Sequence, residues 1–157
     1  MGFAHRGARD RAPDNSLEGF ALALGLGAEG LESDVWLTAD GVPVLDHDGV
    51  LRSPRGGPSR RGPGGNISGR VRPIASCWRA DLPPGIPSLE DLYATCGNDF
   101  ELSLDLLHPA AFGPVLAVAD AAGARHRLWL CHERLGQLVA WRPKVSDARL
   151  VHSSRLR

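Results

Sequence analysis

The sequence predicts an α/β domain built around a mainly parallel sheet. Short apolar runs alternate with segments whose apolar residues recur at helical spacing, the pattern of successive βα units. A length of 157 residues, 43% hydrophobic and 23% charged, is that of an ordinary globular chain with room for one core. Beyond the alternation itself there is no internal repeat.

The first strand is read at residues 2–5. Asn15 or Ser16 then caps a helix whose Leu17, Phe20, Ala21 and Leu24 fall at helical spacing and which ends near the glycines of 25–27. A second strand follows over 31–37. Thr38-Ala39-Asp40-Gly41 leads straight into a third apolar run at 42–45. That link is too short for a crossover between parallel strands, and Asp40-Gly41 is a hairpin-type signal, so regular alternation breaks here and the local arrangement stays open. From 52 to 72 the chain holds Gly56, Gly57, Gly62, Gly64, Gly65 and Gly69 with Pro54, Pro58 and Pro63, which no helix or central strand sustains. A flexible excursion over about 52–73 within a single domain, 1–157, is the expectation. Order resumes at Ile86-Pro87-Ser88-Leu89, where Ser88 caps a helix reaching Cys96 and Glu90 and Asp91 suit its positive end. A strand at 100–106, a helix at 110–122, a strand at 128–131, a helix at 135–141 and a strand at 149–152 bring the count to six strands.

Eighteen Lys plus Arg balance eighteen Asp plus Glu, so no global field draws the chain to nucleic acid or an anionic membrane. The first seven residues hold no apolar run of signal-peptide length, and no later stretch approaches a membrane span. A cytoplasmic protein with no nucleic-acid partner is therefore expected. Cys77, Cys96 and Cys131 are odd in number and widely spaced, which favours buried free thiols over a disulfide framework or a zinc site.

Polar residues gather at the carboxyl ends of the strands, where barrel enzymes carry their chemistry. His5-Arg6 ends the first strand. Glu32 and Asp34, two apart on the second, point both carboxylates to one face, and their mutual repulsion there calls for a hard cation such as Mg²⁺ or Ca²⁺. Asp46-His47-Asp48 ends the third run, and Glu101, Ser103 and Asp105 alternate along the fourth. Two histidines, a carboxylate set and an arginine are what phosphodiester hydrolysis uses: an acid, a base and stabilisation of an anionic transition state. Each piece alone is common. Their order and spacing together carry the reading.

The pieces Ala4-His5-Arg6-Gly7, Ala12-Pro13-Asp14-Asn15-Ser16, Glu32-Ser33-Asp34-Val35, Leu37-Thr38-Ala39-Asp40-Gly41-Val42-Pro43-Val44 and His47-Asp48 arrive in order within 48 residues. Together they resemble the signature of the glycerophosphodiester phosphodiesterase family. Ser103-Leu104-Asp105-Leu106 and Ile86-Pro87-Ser88-Leu89 also resemble family segments. The resemblance implies a TIM barrel in which His5 and His47 share acid and base roles, Arg6 steadies phosphate, and Glu32, Asp34 and Asp105 ligate a divalent metal, Mg²⁺ or Ca²⁺. Asp14 and Asn15 take supporting or substrate-binding places. It implies attack on phosphorus by a hydroxyl of the substrate's own glycerol, expulsion of the alcohol, and opening of a cyclic phosphate by water.

Three features depart from the family pattern. Asp14 stands where the family has Glu, Leu107 stands where it has a phosphate-holding Lys, and the chain is shorter than the roughly 250 residues of a complete barrel. The expected fold is thus an incomplete TIM (β/α)₈ barrel of about six strands, with self-association through its open edges. The expected activity is metal-dependent hydrolysis of glycerophosphodiesters to glycerol 3-phosphate and an alcohol. The rivals are a related lyase acting on phospholipid headgroups and an inactive barrel fragment serving as an interaction module.

Overall fold

A computed structural model of the protein describes residues 1–52 and 71–153. The strands are β1 (Phe3–His5), β2 (Gly30–Leu37), β3 (Pro43–Leu45), β4 (Val50–Arg52), β5 (Val71–Pro73), β6 (Glu101–Leu106), β7 (Leu128–His132) and β8 (Arg149–His152). The helices are α1 (Leu17–Gly25), α2 (Leu89–Cys96), α3 (Phe112–Ala121) and α4 (Leu135–Trp141). The main sheet has six strands in the order β1-β2-β6-β7-β8, with β3 attached to β2. All neighbours on the main path are parallel, as βα units require.

Strand alternation sorts the side chains into two faces. Leu31 and Val35 of β2, Leu102, Leu104 and Leu106 of β6, and Leu128 and Leu130 of β7 are fully buried and join the core that also takes in Phe20 of α1, Leu89 and Leu92 of α2 and Val115 of α3. The helices therefore cover one face. Glu32 and Asp34 of β2 and Ser103 and Asp105 of β6 alternate with these apolar residues and project from the other.

Local chemistry explains the element ends. Ser16, not Asn15, caps α1, accepting from the Gly19 amide at 3.1 Å. Ser88 and Asp91 form a reciprocal capping box on α2, with bonds of 3.0 and 2.8 Å. The break in alternation after β2 resolves as a hairpin. Thr38 accepts the Val42 amide on its hydroxyl at 2.9 Å, Gly41 takes φ +84°, and β3 runs antiparallel to β2.

The loop expected over 52–72 falls mostly on residues 53–70, outside the described residues. Its two flanks do not run as loop: β4 and β5 pair antiparallel, from Val50 opposite Pro73 to Arg52 opposite Val71. Beneath them Val44, Ile74, Cys77, Leu82 and Ile86 make a second small core with Trp36, Val42 and Leu51. All three cysteines are free, with Cys77 and Cys131 buried and Cys96 half-buried. Among the described residues no helix is long and apolar enough to cross a membrane.

Candidate active site

Glu32 and Asp34 come from β2 and Asp105 from β6, where Asp34 stands in register with Asp105. One carboxylate oxygen from each lies within 4.8 Å of the others. Glu32 Oε2 and Asp34 Oδ2 are buried without a hydrogen-bond partner. Burial, then the neighbouring Asp34 and Asp105 charges, pushes Glu32 up to about 7. Burial likewise raises Asp34. Three convergent carboxylates with orphaned buried oxygens fit a hard divalent cation, which would satisfy those oxygens and relieve the repulsion.

His5 reaches the same cluster from β1, which pairs it with Glu32 in register and sets its Nε2 3.7 Å from Glu32 Oε2. Arg6 follows in the left-handed region at φ +58°, its amide bonded to the Glu32 carbonyl at 3.0 Å. Its Nε then lies 3.6 Å from Asp34 Oδ2 and its Nη1 3.5 Å from Asp14 Oδ2. The turn also requires Gly7, at φ +86°, because a Cβ there would sit 2.7 Å from the Gly19 carbonyl carbon. Arg9 completes the group. Its Nε donates to Asp14 Oδ1 at 2.9 Å and its Nη1 lies 3.3 Å from His5 Nδ1. The Arg9 hydrogen bond holds Asp14 below the usual carboxylate range, while burial and the adjacent Arg6 and Arg9 charges lower His5. The shorter acid at position 14 thus still reaches two arginines.

Asn15 supports the site from behind. It is 4% exposed, takes φ +56°, donates its amide to the Arg6 carbonyl at 3.0 Å, and accepts the Ser33 hydroxyl at 2.8 Å. Ser33 lies between Glu32 and Asp34 on the opposite face of β2, so this bond ties the His5–Ser16 loop to the strand that carries two of the carboxylates. Ser33→Ala leaves the Asn15 oxygen buried and unpaired. The expected cost is about 1–3 kcal/mol, read as a lower urea midpoint with an unchanged slope. An unshifted midpoint would show that the bond does not hold the loop.

His47 enters from the turn after β3. Its Nδ1 lies 2.9 Å from Asp48 Oδ1, and Arg52 donates to Asp48 Oδ2 at 3.0 Å. Both contacts hold the Asp48 carboxyl below its ordinary range, the His47 bond contributing most. The turn is braced by the Gly49 amide on Asp46 Oδ1 at 2.6 Å and by the Asp46 amide on the Asp34 carbonyl at 3.1 Å. Gly49, at φ +67°, lies on the Trp36 ring with no room for a side chain.

His5, Arg6, Asp14 and Asn15 in the loop after β1 thus come together with Glu32, Asp34 and Asp105 on the sheet, and His47 follows Asp46, whose amide bonds the Asp34 carbonyl, whereas Glu101 lies at the other end of β6, where it accepts from Trp129 Nε1 at 2.6 Å and from Arg149 at 2.9 Å. Leu107, at the family's lysine position, is exposed. His132 and His152 serve packing and backbone bonding. The His132 ring is buried edge-on to Trp141 at 5.3 Å, and His152 Nε2 lies 2.9 Å from the Glu133 carbonyl. Sequence reasoning missed Arg9 and the Asn15–Ser33 bond, for which no local periodicity gives a signal.

Residues 5–68 match the profile of the Glycerophosphoryl diester phosphodiesterase family. The chain is 35% identical over 135 residues to the probable glycerophosphodiester phosphodiesterase 2 of Mycobacterium tuberculosis, a match covering 82% of this chain and 46% of that protein. Human glycerophosphodiester phosphodiesterase 1 is 46% identical over 48 residues, 31% of this chain and 14% of its own length. The chain thus spans less than half the length of these relatives. Among solved structures, a protein of Silicibacter pomeroyi described as a glycerophosphoryl diester phosphodiesterase superposes with a TM-score of 0.79 at 26% identity, covering 98% of this chain and 64% of that one. An Oleispira antarctica phosphodiesterase solved with sn-glycerol-3-phosphate shares the fold, with a TM-score of 0.73 at 23% identity, covering 94% and 63%.

Proposed function

Since the chain belongs to the glycerophosphoryl diester phosphodiesterase family, we propose that it hydrolyses glycerophosphodiesters to glycerol 3-phosphate and an alcohol, using His5 and His47 for proton transfer and a divalent cation, Mg²⁺ or Ca²⁺. The observation that carries this reading is the convergence of Glu32, Asp34 and Asp105 within 4.8 Å, with His5 Nε2 3.7 Å from Glu32. The product held by the Oleispira antarctica neighbour favours the glycerol phosphate half as the part that is recognised.

A cation held by the three carboxylates would polarise phosphate oxygens and offset the negative charge of the transition state. The rest falls to this chain's own side chains. His47 takes the proton of the substrate's glycerol hydroxyl as its oxygen bonds to phosphorus, Asp48 stabilises the resulting imidazolium, and His5 gives a proton to the departing alcohol oxygen as its bond to phosphorus breaks. Water then opens the cyclic phosphate with the two roles exchanged. In this reading Arg6, braced by Asp14 and Asp34, supplies the guanidinium that binds the phosphate. Turnover of glycerophosphocholine by the purified chain, with and without EDTA, tests the reading. Phosphorus NMR separates hydrolysis from a lyase, which would stop at the cyclic phosphate. No phosphate product with either metal would favour an interaction module instead.

The same proposal includes self-association. Among the described residues β1 and β8 each pair on one side only, and Leu135 and Val139 of α4 are 60% and 64% exposed beside the β8 edge. Unpaired backbone with apolar flanks is a template for another strand. Multi-angle light scattering is expected to show a mass above that of one chain, increasing with concentration; a monomer at all concentrations would remove this part.

A further inference from the structure

We propose, resting on the reading of His47 as a proton-transfer group, that Trp36 is a positioning residue whose indole forms the floor under the turn that presents His47. Trp36 follows Glu32 and Asp34 at two-residue steps on β2, so it projects from the same face as those carboxylates, one step nearer the end of the strand. Its partner across the hairpin is Val44, and with Val42 and Leu51 it packs on the second core. The indole also reaches Gly49. A Cβ built there would sit 2.3 Å from Cε2 and 2.5 Å from both Cδ2 and Cζ2. Near-equal distances to three adjoining ring atoms put that point over the ring face, so the face supports the Gly49 backbone. The indole N–H is buried with no acceptor among the described residues. A buried donor left unpaired is a cost, so what Trp36 supplies to this turn is its ring.

The ends of the turn are anchored on either side of this floor. The Asp46 amide donates to the Asp34 carbonyl at 3.1 Å, which ties the start of the turn to the strand that carries two of the carboxylates. The Gly49 amide donates to Asp46 Oδ1 at 2.6 Å, and the Gly49 carbonyl accepts the Ile74 amide at 2.8 Å, which ties the end to the second core. His47 and Asp48 lie between these anchors, and their side chains bond to each other and to Arg52. With a smaller, non-aromatic residue at position 36 the turn settles into the vacated space and carries His47 with it. A displacement of about 1 Å in a reacting group costs on the order of 10²-fold in rate.

Proton NMR reads the contact directly. In wild type one Gly49 α-proton is expected well upfield of its geminal partner, shielded by the indole, with a nuclear Overhauser effect to the Trp36 ring. The His47 ring protons, identified with His47→Gln, should form one dispersed set. Trp36→Leu should abolish the shielding and move the His47 ring protons toward the positions of free histidine. Trp36→Phe, which keeps an aromatic face and removes the unpaired donor, should retain both signatures. Where turnover is measurable, Trp36→Leu should lower kcat on the order of 10²-fold with a smaller change in KM, and Trp36→Phe should recover most of it. Trp36→Leu added to His47→Ala should cost little more, because the group it positions is already gone; a general structural defect would lower turnover in that background too. An unshifted Gly49 α-proton in wild type would overturn the proposal, and so would unmoved His47 ring signals in folded Trp36→Leu. Should that variant not fold, Gly49→Ala, which pushes the turn off the ring from the other side, gives the same reading of His47. The expected spectra in a chain without turnover would sink the catalytic reading and leave the positioning of His47 standing.

Discussion

Replacing His5 or His47 with alanine is expected to lower glycerophosphocholine turnover by about 10²- to 10⁴-fold, the range over which a positioned acid or base usually acts. The two losses arise differently. His5→Ala deletes the ring beside the carboxylate cluster and leaves Arg9 facing Asp14 alone, so the departing alcohol loses its proton source. His47→Ala deletes the ring that Asp48 holds by Nδ1, so the attacking hydroxyl loses its base. Neither side chain is part of the core, both being exposed, so the melting temperature should change little. Because both groups act in the same transition state, the double variant should lose far less than the product of the two single losses. Near-normal turnover in either single variant would retire the two-histidine mechanism.

Much of the fold follows from local pattern, and the exceptions share a physical cause. The helix over 89–96 is announced by Ser88 and Asp91, whose reciprocal bonds depend only on residues three apart. The two-residue spacing of Glu32 and Asp34 fixes their common face because strand alternation is a property of the backbone. The direction of β3 is not fixed this way. Its link rules out a parallel crossover but leaves several arrangements, and only pairing with Val35–Leu37 selects the hairpin. Residues 71–73 read as loop because their partner, Val50–Arg52, lies about twenty positions away. Asn15 looks like a helix cap by type, yet its oxygen is used by Ser33, eighteen residues on, and the cap falls to Ser16. Arg9 was silent for the same reason: the contact with His5 exists because Arg6 and Asn15 adopt left-handed turns that no periodicity announces.

The apo chain is expected to lose stability as pH rises from about 4.5 to about 7, and Mg²⁺ or Ca²⁺ is expected to restore it. Burial, followed by Asp34 and Asp105, holds Glu32 at about 7 in the folded protein, against the ordinary glutamate value of 4.5. Between those values the folded chain keeps a proton that the unfolded chain has released. The resulting stability is present below the unfolded value and is lost as pH climbs through the folded one, at up to about 1.4 kcal/mol per pH unit for one proton. Asp34 and Asp46, both raised by burial, add in the same direction. A bound cation needs the ionised carboxylates, so affinity should strengthen across the same window. At 100 times its Kd the metal would add about 2.7 kcal/mol to the folded state. Thermal melts from pH 5.5 to 8 in EDTA, and again with each metal, read both trends. Asp34→Asn distinguishes this from general damage. Removing one like charge from beside Glu32 should raise apo stability at pH 8, while calorimetric titration shows metal binding lost. Equal metal affinity in wild type and Asp34→Asn would sink the three-carboxylate site, and so would a wild-type melt unmoved by either cation.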